Sequence, residues 1–359
     1  MLYALLYPLK QYFFAFNLFR YITFRTAYAI VTALVLTWIF TPLIIKLAHK
    51  KSIGERIRND GPRRHLKKKG TPTMGGVIVL LVAIVSILLW GRLNNPYVWL
   101  ILLALVGFGA LGFIDDYLKL KKKKGMAVRV KFLGQFVIAT IITLYLYYSP
   151  SKNPHILDLY LPFFAGPVAH LGWLFIPLSI LVIVGSSNAV NLTDGLDGLA
   201  IGLVMFSTLA FMAIIYASSN IKIAEYLKIP FIQGIGEVTI VTGTIVGASL
   251  GFLWYNAHPA QIFMGDTGAL SLGGVLGVMA VILRKEVLLF IVGGVFVIEA
   301  VSVILQVLSF KIRGKRIFLM APLHHHFELK GWPESKVVAR LWIIGAILAL
   351  IGLSTLKIR

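Results

Sequence analysis

Unbroken apolar runs alternate with short polar stretches along the whole chain, and the runs are too long and too uniform for a soluble fold. A helix needs about 20 consecutive apolar residues to cross a bilayer. Ten segments meet that requirement, at roughly 22–46, 74–91, 97–115, 131–149, 172–190, 197–217, 237–255, 268–283, 287–310 and 338–357. The spans at 74–91 and 268–283 are short. The latter and the stretch 243–251 are rich in glycine, which lets helices approach closely. The first twenty residues, crowded with Tyr and Phe and carrying Lys10 and Arg20, read as an interfacial helix held by its aromatic side chains. They show no small-residue cleavage site, so a cleavable signal is not expected. The segments 150–171 and 218–236 have room for a hairpin or a surface helix. Pro150, Pro154, Pro162 and Pro167 punctuate the first of them. The expected fold is an all-α polytopic membrane protein, with residues 1–359 forming one integral membrane domain.

Composition agrees with this reading. The chain is 58% apolar and only 14% charged, with a mean hydropathy of +0.86. It contains no cysteine, which excludes thiolate metal sites, thiol nucleophiles and a disulfide framework. The net charge of +21 invites a nucleic-acid partner, but the basic residues gather in loops beside spans, where they set topology and meet anionic lipid. No nucleic-acid partner is expected.

The same loops give an orientation. Residues 46–73 hold ten Lys or Arg, including Arg63, Arg64 and Lys67–Lys69; 116–131 and 311–340 hold seven each. The intervening loops carry Arg92 alone, Lys152 alone, Lys222 with Lys228, and Arg284 with Lys285. Odd-numbered loops are therefore expected on the cytoplasmic side and both termini on the periplasmic side. Parity places the loops 188–196 and 256–267 inside as well, so every chemical motif falls on one face.

Those motifs begin with carboxylates. An Asp at the centre of a membrane helix costs about 2.5–3.5 kcal/mol on insertion scales, yet Asp115, Asp116, Asp194, Asp197 and Asp266 all sit at the ends of apolar runs. Asp115 and Asp116 diverge by about 100° on a helix, so they cannot simply chelate one ion. One meets a metal or phosphate while the other orients a lysine or acts as a base. In Asn188-Ala-Val-Asn191-Leu-Thr-Asp194-Gly-Leu-Asp197-Gly198, a helical path would stack the polar residues on one side, and Thr193 or Asp194 would cap the sixth span. Glycines flank Asp266 in Met264-Gly265-Asp266-Thr267-Gly268, a setting that suits close approach of a phosphate-bound Mg²⁺. Asn256 and Phe263 are candidates for reading and stacking a planar base. His324, His325 and His326 are consecutive and do not converge on one tetrahedral zinc, so they suit phosphate binding or proton transfer. Lys68, Lys69, Lys119 and Gln306 add donors.

Together with Thr71-Pro-Thr73-Met-Gly-Gly76, Pro259-Ala260 and Ala321-Pro-Leu-His-His-His-Phe-Glu328, these stretches resemble the polyprenyl-phosphate N-acetylhexosamine-1-phosphate transferase superfamily. The triple His followed by Phe-Glu is similar to its muramoyl branch. The resemblance covers essentially the whole chain. It implies a multi-pass enzyme of the bacterial inner membrane, homodimeric and Mg²⁺-dependent. That enzyme would join the phospho-N-acetylmuramoyl-pentapeptide of UDP-N-acetylmuramoyl-pentapeptide to undecaprenyl phosphate, giving lipid I and UMP. It implies Asp266 at the metal, Asp115 or Asp116 assisting attack, and His324 and His325 at the sugar phosphate. Asp194, Gly195, Leu196, Asp197, Asn256 and Phe263 would form the uridine and diphosphate pocket, with Thr73, Asn188, Asn191 and His326 also against substrate. Direct attack and passage through an aspartyl-phosphate are both compatible with these residues. A UDP-N-acetylglucosamine donor is the alternative within the superfamily. An ion-coupled transporter is the alternative outside it, though transporters place such groups at the midplane, often in repeated halves.

Overall fold

The computed structural model describes residues 1–50, 68, 70–122, 124–149, 155–164 and 166–357. A short helix α1 (Leu2–Leu6) and two 3-10 segments (Tyr7–Gln11 and Phe14–Arg20) lead into α2 (Ile22–Lys50), α3 (Gly76–Trp90), α4 (Pro96–Lys122) and α5 (Val128–Tyr148). Two-residue strands β1 (Asp158–Leu159) and β2 (Ala169–His170) pair antiparallel before α6 (Phe175–Thr193) and α7 (Leu199–Ser218). The chain continues through α8 (Ile221–Leu227), α9 (Gly236–Asn256), α10 (Gly265–Leu283), α11 (Glu286–Val292) and α12 (Gly294–Arg313). It ends in α13 (Leu323–Leu329) and α14 (Glu334–Ser354). Among the described residues nine helices are long and apolar enough to cross a membrane, and α3 is a shorter apolar helix. The protein is an all-α polytopic membrane protein, and its loops 150–171 and 218–236 hold the hairpin and the surface helix α8.

Two expectations need correction. The ninth span, 287–310, is not one helix: it breaks between α11 and α12, where Gly293 has φ −94 and ψ 22. Two adjacent glycines are the weakest helix formers short of proline, and paired small residues commonly mark a kink. The helical stacking of residues 188–197 also fails, because α6 stops at Thr193. Neither Thr193 nor Asp194 caps the next helix. Gly198, at φ +75, is the N-cap of α7 and makes no side-chain cap bond, so Asp197 is freed from the helix and turns toward other loops.

The centre of the bundle is α10, buried continuously from Thr267 to Leu283 and packed against α3, α4, α6 and α7. Its small residues make that possible. A Cβ on Gly273 would lie 2.6 Å from the Ser186 carbonyl of α6, and one on Gly76 of α3 would lie 2.2 Å from the Gly268 nitrogen. The glycine-rich stretch of α9 does the same for α2, where a Cβ on Gly247 would meet the Ile30 carbonyl at 2.2 Å. Hydroxyls then tie the neighbours together. Ser186 donates to the Gly273 carbonyl (2.7 Å), Ser187 to Leu270 (2.8 Å) and Ser271 to Leu105 (2.8 Å). Such interhelical bonds replace the hydrophobic drive that lipid does not supply. At the end of the bundle remote from the motifs, Arg25 of α2 clamps Glu237 of α9 with two 2.7 Å bonds, fully buried.

Replacing Gly76 by Val tests this packing. The added atoms meet backbone rather than a movable side chain, and overpacking of this kind costs about 1–3 kcal/mol. The variant is expected to lose several degrees of thermal midpoint in detergent. A midpoint equal to the parent's would show that α3 and α10 are not so closely set.

Candidate active site

The inner ends of α4, α5 and α10 assemble the first cluster. Lys119 lies one turn beyond Asp115 on α4, and its Nζ is 2.9 Å from Asp115 Oδ2, 3.0 Å from Asp266 Oδ2 and 3.7 Å from Asp116 Oδ1. Lys131 of α5 reaches Asp115 Oδ2 at 3.2 Å and also bonds Asp266 Oδ2. Asp115 Oδ1 accepts the Met126 N–H at 2.5 Å, which folds the α4–α5 loop back over the cluster. Asp116 faces another way. It accepts from Asp266 N (3.2 Å), Thr267 N (3.0 Å) and Thr267 Oγ1 (2.8 Å), and so caps the N-terminus of α10 from a different helix. The two neighbouring carboxylates therefore divide their work as helix geometry requires: Asp115 turns to the lysines, Asp116 to the backbone.

The segment Thr71–Gly76 is the strap that seats Asp266. Phe263 N donates to the Pro72 carbonyl, Gly75 N to Phe263 and Gly76 N to Met264, each at 2.8 Å. Thr73 lies half-buried within that strap. Gly265, at φ +74, makes the turn; a Cβ there would sit 2.8 Å from Asp116 Oδ2.

A second cluster surrounds Asp197. Its Oδ1 bonds Lys68 Nζ at 2.6 Å, and its Oδ2 meets His258 Nδ1 at 3.0 Å and Ala260 N at 3.1 Å. Glu334, at the start of α14, bonds Lys68 Nζ (2.5 Å) and Asp197 N (2.9 Å). Lys68 also lies 5.9 Å from the centre of the Phe263 ring, which joins this cluster to the Asp266 loop. Lys69 falls outside the described residues. Leu196 is buried in the core, and Asn191 and Asp194 are half-buried at the end of α6.

His324 is wholly buried beside this loop. A Cβ on Gly195 would stand 2.3 Å from its Nε2, so the glycine is what admits the ring. Its Nδ1 is 3.3 Å from Glu299 Oε2 on α12, and its backbone N–H donates to the same oxygen. His325 pairs with Glu328 at 2.9 Å, and His326 accepts the Leu319 N–H at Nδ1. The His324 and His325 rings touch edge to face with centroids 4.2 Å apart, but the three imidazoles turn to three different partners.

Several amides predicted to touch substrate are committed to the protein itself. Asn256 accepts from Gly198 N and donates to the Ile262 carbonyl, bracing the Asp197 and Asp266 loops against each other. Gln306 accepts from Ile317 N and Phe318 N and donates to the Phe318 carbonyl. Asn188 donates to Gln135 of α5 at 2.7 Å and to the Val184 carbonyl. Lys131, Glu299, His258 and Glu334 went unnoticed in the sequence. Glu299 alone gave a usable signal, being an acid deep inside an apolar run.

Of the described residues, Asp197, His258 and Glu334 are the group whose ligand atoms approach within 4.8 Å of one another. Lys68 already bonds both carboxylates there. Asp115 and Asp266 offer oxygen alone, the ligand type that a hard divalent cation takes in company with phosphate.

Comparison with known proteins agrees with this geometry. Residues 98–284 match glycosyl transferase family 4, and residues 68–80, the strap and its approach, match signature 1 of phospho-N-acetylmuramoyl-pentapeptide-transferases. Phospho-N-acetylmuramoyl-pentapeptide-transferases of Thermodesulfovibrio yellowstonii and Citrifermentans bemidjiense are each 53% identical to the chain, and that of Desulforapulum autotrophicum is 54% identical, in every case over 100% of both sequences. With that identity running from end to end, the chain belongs to the phospho-N-acetylmuramoyl-pentapeptide-transferase family.

Proposed function

We propose that the protein transfers phospho-N-acetylmuramoyl-pentapeptide from its UDP donor to undecaprenyl phosphate, forming lipid I and releasing UMP at the cytoplasmic face of the bacterial inner membrane. The observation that carries this reading is the meeting of Asp115 and Asp266 with Lys119 and Lys131 at one end of the bundle. Both substrates are phosphate anions, one dissolved and one carried on lipid, and this end of the protein meets water and membrane together.

An oxygen of the lipid phosphate attacks the phosphorus that bears the sugar. The new P–O bond forms as the bond from that phosphorus to the bridging oxygen breaks, and the electron pair leaves with UMP. Lys119 and Lys131 neutralise charge building on the phosphates, the electrostatic service that contributes most in such sites. Asp116 holds the N-terminus of α10 in register, so that Asp266 stays aimed. Formally the three carboxylates and two ammonium groups leave the cluster with one negative charge (−3 + 2 = −1), a poor seat for two further anions. A divalent cation offsets that deficit. Asp266 and Asp115 are the residues that would hold Mg²⁺, which supplies Lewis-acid stabilisation of the pyrophosphate. Lys68, Asp197 and Phe263 would meet the uridine, and His324, buried behind Gly195, would act on the sugar phosphate through the loop that it backs. The basic loops raise the local concentration of both substrates.

Asp266→Asn should abolish Mg²⁺-dependent UMP release from the muramoyl donor; near-normal turnover would remove the metal from Asp266. The same assay with UDP-N-acetylglucosamine decides between donors. Glu299→Gln should lower kcat by about tenfold or more, equivalent to ~1.4 kcal/mol, with the thermal midpoint kept. An unchanged kcat would mean that Glu299 does not orient His324. Orientation is testable because the chain has no cysteine of its own. Single cysteines at Lys122 and Gln261 should react with an impermeant maleimide only in inside-out vesicles, and one at Lys222 only in intact spheroplasts. Labelling of the first two from opposite sides would contradict the shared inner face.

A further inference from the structure

Between the returning segment Arg316–Leu319 and the outer side of α13 lies a cavity of about 400 Å³, lined by Arg316, Ile317, Phe318, Leu319, His326 and Lys330. Its position and chemistry are set by Gln306. The three bonds from that side chain pin residues 317 and 318 beside α12, within a helix that is apolar enough to span the bilayer. The cavity therefore lies against the motif-bearing end of an apolar helix, about two turns from its last residue, Arg313. Its polar lining offers donors. Arg316 and Lys330 are cations, and no carboxylate is among the lining residues. His326 spends Nδ1 on the Leu319 N–H, and its pKa is lowered by burial and by the charge of Lys330. The neutral ring thus carries its proton on Nε2, a third donor.

The surroundings are apolar and exposed. Ile317 and Leu319 on the cavity wall are 48% and 51% exposed, and Ile312 and Phe310 on the last turn of α12 are 78% and 59% exposed. A dissolved anion has no use for such neighbours, whereas a phosphate attached to acyl chains matches both the donors and the apolar rim.

We propose that this cavity is a binding site for the phosphodiester headgroup of an anionic phospholipid, and that its occupant steadies α13 and hence His324. Arg316, Lys330 and the His326 Nε2–H hold the phosphate, while the acyl chains follow the exposed face of α12. The lipid is not a reactant. The proposed reaction enters this argument only through the link to His324, and the orientation proposed above only through the choice of leaflet.

The test is native mass spectrometry of the full chain, titrated with phosphatidylglycerol or phosphatidylcholine, beside turnover in nanodiscs of phosphatidylcholine alone or mixed with phosphatidylglycerol in equal parts. The parent should retain phosphatidylglycerol preferentially and turn over faster in the mixed discs. Arg316→Gln with Lys330→Gln should weaken that retention about tenfold or more and remove the stimulation. Lys46→Gln with Lys50→Gln, an equal loss of charge on α2, should change neither. Arg316→Lys with Lys330→Arg should restore retention, which guards against a variant that merely misfolds. Equal retention by parent and the Arg316/Lys330 glutamine variant overturns the proposal. So does a variant that keeps its lipid but shows a raised KM for the donor, which would assign the cavity to a carboxylate of the donor's peptide. Retention is read without catalysis, so it stands or falls separately from the proposed reaction.

Discussion

The seam between α4 and α10 governs the site. Asp116 of one helix accepts three hydrogen bonds from the first turn of the other, where unpaired N–H groups and the positive end of the helix dipole both favour an anion. That bond set fixes the register, and Gly112 fixes the distance: a Cβ there would fall 2.3 Å from the Asp266 carbonyl. Once the seam is set, Asp115 and Asp266 must face the same space, because Asp115 is rotated about 100° from Asp116 around α4. The lysines follow from the same geometry, since Lys119 lies one turn along from Asp115, and Lys131 opens the neighbouring helix.

Lipid explains why the rest of the bundle is so economical with polarity. Away from the site, the buried polar groups include small hydroxyls, some bonded across helices as Ser271 is to the Leu105 carbonyl, and ion pairs such as Arg25 with Glu237. Near the site the amides of Asn188, Asn256 and Gln306 take over as struts between loops and helices. An amide suits that position because it satisfies two backbone groups at once without carrying a charge that lipid would penalise. The charged residues are then left to face water, lipid phosphate and one another.

This division of labour decides what could be read from the sequence. Apolar runs report length and composition directly, so the spans emerged with few errors. The break at Gly293–Gly294 was missed because two glycines do not interrupt hydropathy. The Asp residues stood out because a carboxylate beside an apolar run is costly and so rarely idle. What the chain order hides is partnership. Glu334 sits 137 positions from Asp197 yet bonds its backbone, and His258 reads as an unremarkable loop residue until Asp197 meets it. Asn256 and Gln306 show a related limit of chain order: polarity near a site signals that a residue matters, but does not reveal the backbone groups that it also braces.

Glycine in the 194–198 loop shows how one position can be set by the side chain of a distant segment. Gly195 has no ligand chemistry to offer, and a side chain there would collide with the His324 ring. The imidazole is brought within reach by a seven-residue helix, α13, whose own seat is the loop that Gln306 holds to α12. The position of His324 thus depends on a chain of contacts that ends in Gln306, whose side chain bonds the Ile317 and Phe318 backbone. Its place near the inner end of the ninth span marks Gln306 as a candidate donor in the sequence. In the structure it also supports the segment against which α13 sits, and that bracing by itself accounts for a polar residue at the inner end of an apolar helix.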